Sequence, residues 1–377
     1  MMHDQLRLGI QQRVLPDYRA AFFEALGQSV EGRLAVFGGK PLDREGIKSL
    51  SELSHAQLFW GRNYTLFDPT HPFFLCWQHG LLDWLNCWQP HALIVEANPR
   101  LLANRRAIQH VHNKGGIVIG WGLGAPPIEG NFASLRQRER ITYLKSLDGI
   151  IAYSNKGASQ YRALGIPEER VFVATNAVLP KPTTPAHHRP IPVISQLQVL
   201  FVGRLQRRKR VDLLLKACAS LPKELQPLLF IIGDGPARPE LERLAMEILP
   251  ATMFVGDQRG ESLATYFKQA DLFVLPGTGG LAVQQAMSYA LPVIVAQGDG
   301  TQEDLVRPQN GWLVPADDVN ALQNALREAL SDIRGLRKKG LESYRIVAEE
   351  VNVEKMAETF ISAIDRIWTL AKSKSGY

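Results

Sequence analysis

The feature that most constrains this chain is a recurring pair of signals: a short, unbroken apolar run, then a segment with helical periodicity. Before residue 180 the apolar runs are Leu6–Ile10, Leu34–Phe37, Ala92–Val95, Ile117–Ile119, Ile150–Tyr153 and Val171–Ala174. After residue 198 they are Val199–Val202, Leu228–Ile232, Met253–Val255, Leu272–Leu275 and Val293–Ala296. Continuous rather than alternating runs suit strands covered on both faces, as in a parallel sheet. Helical patterns such as Arg100–Asn113, Val211–Ser220, Pro239–Ile248 and Leu281–Ala290 lie between them. The β-α-β-α order in both halves predicts an α/β protein with two doubly wound parallel-sheet domains. The length of 377 residues agrees, at about 150 residues per domain.

Five of the 23 prolines crowd into Pro180–Pro192. Proline removes backbone donors and disfavours helix in the preceding residue, so this stretch reads as an extended linker. The expected division is a Rossmann-like domain over 1–178, a Pro-rich linker over 179–198, a second Rossmann-like domain over 199–350 and a C-terminal helix over 351–377. That last segment carries Met356, Phe360, Ile361, Ile364 and Trp368 as a helical stripe that must pack on something already built. The adjacent His187 and His188 lack a nearby Cys or carboxylate cluster, which favours solvated histidines over a metal site.

Composition narrows the function classes. With 45% hydrophobic and 21% charged residues, the chain has material for a sizeable core and is not a disordered or collagen-like protein. The net charge of +6 suits an anionic ligand or membrane surface without demanding nucleic acid. Cys76, Cys87 and Cys218, an odd number without C-x-x-C, argue against a disulfide framework or a structural zinc. The start, Met1 to Arg7, lacks the apolar core of a signal peptide, and no run approaches a membrane span. A cytoplasmic location is expected.

In open parallel sheets ligands bind beyond the carboxyl ends of the strands. After Val199–Val202 comes Gly203-Arg204-Leu205-Gln206-Arg207-Arg208-Lys209-Arg210, and after Leu228–Ile232 comes Gly233-Asp234-Gly235-Pro236. Met253–Val255 is followed by Gly256-Asp257, and Leu272–Leu275 by Pro276-Gly277-Thr278-Gly279-Gly280, which opens a helix. Glycines, clustered cations and a helix N-terminus together suit a ligand carrying more than one phosphate. Each loop alone has a plainer reading: a strand-end turn for Gly233–Pro236, a solvated or nucleic-acid-facing run for Arg207–Arg210. No Walker A sequence is present, and Gln11-Gln12-Arg13 stands where a dinucleotide-binding glycine motif would follow the first run.

These residues resemble the GT-B-fold glycosyltransferases, specifically glycosyltransferase family four, whose members are retaining and use sugar nucleotides. The resemblance runs from about Val199 to Leu330. It is carried by Phe201-Val202-Gly203-Arg204-Leu205 with Lys209, Ile232-Gly233-Asp234-Gly235-Pro236, Phe254-Val255-Gly256, Ala270 to Pro276, Ala286 to Ile294 and Asn310-Gly311-Trp312-Leu313-Val314. It implies two Rossmann-like domains facing across a cleft, with the C-terminal helix crossing back to the first. Arg204 and Lys209 would clamp the donor diphosphate. Gly203, Gly233, Asp234, Thr278, Gly279, Gly280 and Leu281 would complete the donor pocket, and Val255 and Gly256 would border the base. Two departures stand out. The family's pair of glutamates with seven residues between them falls here on Gly277 and Gln285, and Trp121-Gly122-Leu123-Gly124 lacks the histidine of a Trp-Gly-His-Gly pattern. Gln285 retains hydrogen-bonding capacity towards hydroxyls, whereas Gly277 offers no side chain.

On the first-domain side, Glu96 follows the run Ala92–Val95 and reads either as the residue that orients or deprotonates an acceptor hydroxyl or as a capping or ion-paired residue. Arg13, Tyr18, Arg19 and Trp121 are the acceptor-binding candidates. The expectation is a transferase moving a sugar from a nucleoside-diphosphate sugar to a glycan, lipid-linked or other hydroxyl acceptor in cell-surface polysaccharide or glycolipid synthesis, with retention. No metal or other cofactor is expected, because no Asp-x-Asp follows a strand. Peripheral attachment to the inner face of a membrane is a further expectation, resting on Arg13, Arg19, Arg33 and Arg62. The alternative is a catalytically degenerate relative that binds a nucleotide or glycan as an assembly subunit.

Overall fold

The computed structural model describes residues 6–191 and 196–374. Met1 to Gln5, part of the segment read for a signal peptide, and Pro192 of the proline-rich stretch lie outside the described residues. The chain divides into two units, Met1–Pro180 with Val353–Tyr377, and Lys181–Asn352.

The first unit runs β1 (Leu8–Val14), α1 (Ala20–Ser29), β2 (Leu34–Gly39), β3 (Gln57–Leu66), β4 (Leu75–His79), α2 (Leu81–Trp88) and β5 (Ala92–Glu96). It continues with α3 (Ala103–Asn113), β6 (Ile117–Gly122), α4 (Ala133–Lys145), β7 (Gly149–Ala152), α5 (Asn155–Ala163) and β8 (Val171–Val173). Its sheet has the order β4-β3-β2-β1-β5-β6-β7-β8. All neighbours pair in parallel except β3 with β4. The order reverses between β1 and β5, so the loops after these two strands diverge and open a crevice at the sheet edge.

Two departures from the sequence reading have physical causes. The first strand extends past Ile10 to Val14, taking Gln11, Gln12 and Arg13 into the ladder. Gln11 is met by Gln78, whose Oε1 accepts from Gln11 Nε2 at 2.6 Å and whose Nε2 donates to the backbone oxygen of Gln12 at 3.0 Å, while Gln12 Oε1 has no partner among the described residues. A buried amide is tolerable when its partners are built in. The unanticipated β3–β4 hairpin forms the sheet edge and alternates exposed and half-buried residues along β3. Its polar positions hide it from a search for continuous apolar runs.

The second unit runs β9 (Gln198–Val202), α6 (Val211–Ala219), β10 (Leu228–Ile232), α7 (Arg238–Ile248), β11 (Met253–Gly256), α8 (Gly260–Gln269) and β12 (Leu272–Leu275). Then follow α9 (Leu281–Ser288), β13 (Val293–Ala296), α10 (Thr301–Leu305), β14 (Gly311–Val314), α11 (Val319–Ser331) and α12 (Ile333–Glu349). All its strands are parallel, in the order β11-β10-β9-β12-β13-β14. This is the doubly wound order with its switch point between β9 and β12. The proline-rich stretch leads into this unit and is anchored to it. The Arg189 guanidinium donates to the carbonyls of Phe267, Ala270, Tyr289 and Ala290 at 2.6–2.9 Å. His187 Nε2 lies 3.1 Å from Lys268 O.

The last helix, α13 (Val353–Lys374), belongs to the first unit. Met356, Phe360, Ala363, Ile364 and Ile367 are buried, with Ile367 taking the inward place that the stripe assigned to Trp368. The Phe360 ring meets Phe22 of α1 edge-on at 4.8 Å and Trp121 of β6 at 5.0 Å. Among the described residues no helix is long and apolar enough to cross a membrane.

Because Phe360 is fully enclosed by this cluster, Phe360→Ala should destabilise the first unit by about 3–5 kcal/mol. Urea unfolding followed by tryptophan fluorescence measures it; a loss under about 1 kcal/mol would mean that α13 is not integral to that core.

Candidate functional site

At the switch point of the second sheet the loops after β9, β10 and β12 press on one another through backbone. Gly203 N donates to Ile232 O at 3.0 Å, Leu205 N to Asp234 O at 2.9 Å and Gly233 N to Gly256 O at 2.7 Å. Gly233 and Gly235 have φ of 125° and 157°, and a Cβ on either would collide with the carbonyls of Gly203 and Leu205. Only glycine combines that conformation with that proximity. The loop after β12 closes the other side, where Thr278 N donates to Arg208 O at 3.1 Å.

Lys209 spans these loops, donating from Nζ to Thr278 O at 2.6 Å. Burial, reinforced by neighbouring Arg208, pushes its pKa down to about 8. A Cβ on Gly279 would fall on that ammonium, which accounts for glycine there. Arg204 is exposed. Arg208 Nη1 donates to Thr278 Oγ1 at 3.1 Å. The remaining cations of the run turn to carboxylates, Arg207 to Glu240 and Arg210 to Asp212 and Asp317. The run is therefore not one uniform basic face: Lys209 and Arg208 lie on the β12 loop, while Arg207 and Arg210 are ion-paired.

Gly280 caps α9 and its carbonyl accepts from Val283 N at 3.1 Å, which leaves the N–H groups of Leu281 and Ala282 at the helix start without helical acceptors. Gln302 Nε2, which sequence reading missed, donates to Gly279 O at 2.8 Å and fixes this turn from α10. Only its long sequence separation hid it. Leu281 is partly exposed at the helix start and Gln285 is half-buried on α9. Asp234 accepts from the Gly235 N–H at 2.6 Å and faces Arg238 at 3.5 Å. Val255 and Gly256 end β11 and are partly exposed. Gly277 is sealed: a Cβ there would stand 2.5 Å from the carbonyl carbon and 2.7 Å from Cα of Lys209, and closer still to Arg208 O. The missing carboxylate at this position is thus tied to the path of the Arg208–Lys209 backbone.

In the first unit, Glu96 ends β5. Its Oε1 accepts the Arg13 N–H at 2.5 Å and its backbone oxygen accepts from Tyr143 at 2.8 Å. Burial holds the Glu96 carboxyl above the ordinary carboxylate range, against the opposing pull of the Arg13 N–H and of Arg13, Arg19 and Arg100. Arg13 is committed to Glu45, with Nη1 3.1 Å from Oε2. Arg19 is buried, with its guanidinium 4.2 Å from the Trp121 ring and Nη2 donating to Tyr153 at 3.0 Å. Tyr18 is exposed. A cavity of about 760 Å³ lies wholly within this unit, and Glu96 and Trp121 line it, whereas Arg13, Tyr18 and Arg19 do not.

Two parallel, doubly wound sheets of this kind make an α/β protein of the GT-B type. Residues 188–343 match the family model "Glycosyl transferases group 1", so the second unit carries a domain of that family. The sulfoquinovosyl transferase of Arabidopsis thaliana is 34% identical over 140 residues, 36% of this chain and 26% of that protein. The chain spans less than half the length of the curated relatives it matches. Among solved structures, sucrose-phosphate synthase from Thermosynechococcus elongatus superposes with a TM-score of 0.72 at 19% identity, covering 97% of this chain and all of that one. Anabaena HepE in complex with UDP gives 0.69 at 14%, covering 96% of this chain and 100% of its own.

Two predictions come from this geometry. A phosphate ligand at Lys209 raises the ammonium pKa from about 8 in the free protein, so binding takes up a proton. Nucleoside-diphosphate affinity should therefore fall as pH rises through about 8, and Lys209→Arg should flatten the dependence; calorimetry at pH 7 and 9 in two buffers reads both. A pH-independent affinity would place the diphosphate away from Lys209. Gly277→Ala should cost about 1–3 kcal/mol of stability by displacing the Arg208–Lys209 backbone, and Gly277→Glu at least as much. Thermal unfolding measures this, and an unchanged midpoint would show that the loop yields freely.

Proposed function

We propose that the protein is a glycosyltransferase that uses a nucleoside-diphosphate sugar and acts on a hydroxyl acceptor in polysaccharide or glycolipid synthesis, with retention at the sugar carbon. The observation that carries the reading is the bond of Lys209 to the loop that opens α9, at the switch point of a glycosyl transferases group 1 domain, with Arg204 of the same β9 loop as the second cation that the family resemblance supplies. The leaving group of such a reaction is a diphosphate, and its developing charge is what two cations and a helix N-terminus stabilise. These groups supply the positive charge from the chain itself, which supports a mechanism without a resident metal or other cofactor. The UDP in the complex of Anabaena HepE, a structure of the same fold, supports the same ligand class.

The second unit holds the donor and the first the acceptor. Glu96, with its raised carboxyl, orients or accepts the proton of the acceptor hydroxyl. Retention rests on the family resemblance. With Gly277 sealed and the Thr278 N–H spent on Arg208 O, donor-sugar hydroxyls are left to the backbone N–H groups of Gly279–Leu281 and to Gln285. The same sealing favours a second reading, a nucleotide-binding assembly subunit without turnover, since no carboxylate reaches the sugar from either position. Donor turnover with and without a glycan acceptor separates them.

Arg204→Ala should weaken nucleoside-diphosphate binding by about 1–3 kcal/mol while leaving nucleoside binding nearly unchanged. Isothermal titration with UDP, GDP and their nucleosides checks it. Equal losses for nucleoside and diphosphate would remove the clamp from the mechanism.

A further inference from the structure

The 760 Å³ cavity of the first unit combines two chemistries that rarely share a wall. Four arginines line it, Arg100, Arg105, Arg136 and Arg140, against two glutamates, Glu96 and Glu139. Arg105 is neutralised by Glu139 at 2.6 Å. Among the described residues the other three make only neutral contacts: Arg100 Nε to Asn98 Oδ1 at 3.4 Å, Arg136 Nη1 to Glu129 O at 3.3 Å and Arg140 Nη1 to Pro126 O at 2.5 Å. Burial lowers the pKa of Arg100 and Arg140, and nearby Arg136 lowers both further, while Glu96 pulls Arg100 the other way. Glu96, the facing carboxylate, already accepts the Arg13 N–H. Trp121 is also in the wall, fully buried, with an indole N–H that has no partner among the described residues.

The apolar component is equally unusual. Leu66, Phe67, Phe73, Leu102, Leu123 and Leu135 line the same cavity and are 38–59% exposed. Phe132, 70% exposed, stands edge-on to Phe73 at 6.5 Å. Large side chains left this open around one cavity mark a contact surface rather than incidental exposure. An uncharged sugar would leave the three guanidiniums without a counter-charge and most of this apolar collar uncovered.

We propose that this cavity binds a phosphate or diphosphate carried on a single isoprenoid chain, the charged group on Arg100, Arg136 and Arg140 and the chain on the collar of Leu66, Phe67, Phe73 and Leu135. It rests on the transferase reading and names its acceptor class. The arginines differ from those that sequence reading offered for membrane attachment: Arg13 and Arg33 are paired with Glu45 and Glu31, and Arg19 is buried.

The test uses the full chain and farnesyl diphosphate as the probe, with inorganic diphosphate, farnesol and dihexanoyl phosphatidate as comparators, in calorimetric titrations. Farnesyl diphosphate should bind at least 10-fold more tightly than each comparator. Arg136→Gln with Arg140→Gln, and separately Leu66→Ser with Leu135→Ser, should each weaken it at least 10-fold while UDP binding stays unchanged, which also shows that the variants are folded. Arg204→Ala should leave it intact. Equal binding of inorganic diphosphate or farnesol, displacement by UDP, or indifference to the cavity variants overturns the proposal; equal binding of the phosphatidate overturns the commitment to a single-chain carrier. Donor turnover onto a soluble glycan without farnesyl diphosphate binding sinks this inference and spares the transferase reading. Binding as described in a protein that turns over no donor does the reverse.

Discussion

The structure of the second unit depends on contacts in which backbone meets backbone with no room for a side chain. Gly233 and Gly235 allow the loop after β10 to lie on the carbonyls of Gly203 and Leu205, and Gly277 allows the loop after β12 to lie on Arg208 and Lys209. These approaches bring loops from β9, β10 and β12 together at the point where the parallel sheet reverses direction. Lys209 is then desolvated and tied to Thr278 O rather than extended into solvent. A preorganised cation is worth more to a developing diphosphate charge than a mobile one, because no reorganisation is needed as the charge forms.

The same constraint recasts the two replaced glutamates of the family pattern. At Gln285 the replacement is chemical, since a half-buried amide on α9 still offers a donor and an acceptor. At Gly277 it is steric: the backbone of the β9 loop occupies the space into which a side chain would grow. A glutamate there would reroute that loop, so the absence of the carboxylate and the path of the β9 loop go together. Gln302, reaching from α10 to Gly279 O, completes this arrangement.

Much of the fold was legible because buried parallel strands announce themselves as unbroken apolar runs. Leu228–Ile232, Leu272–Leu275 and Val293–Ala296 form strands with the bounds the sequence suggests. The β3–β4 hairpin escaped because an edge covered on one side keeps polar residues such as Arg62 and Asn63. The end of β1 escaped because the Gln11 side chain and the Gln12 backbone oxygen are bound by Gln78, a partner 66 or 67 residues away. The glycine loops of the second unit could be located from sequence, but their mutual contacts could not. The cavity of the first unit was illegible for a related reason: Arg100, Arg136 and Arg140 are scattered arginines until the ends of β5 and β6 bring their loops to one wall with α4.

The central claim is that a nucleoside diphosphate sits at the switch point of the second sheet, between the β9 loop and the start of α9. Amide hydrogen exchange with and without saturating UDP or GDP localises it most directly. Added protection should concentrate in residues 203–209 and 277–284, with little change in α7, α11 or α12. Protection confined to other segments, with 203–209 and 277–284 unchanged under saturating nucleotide, would contradict it.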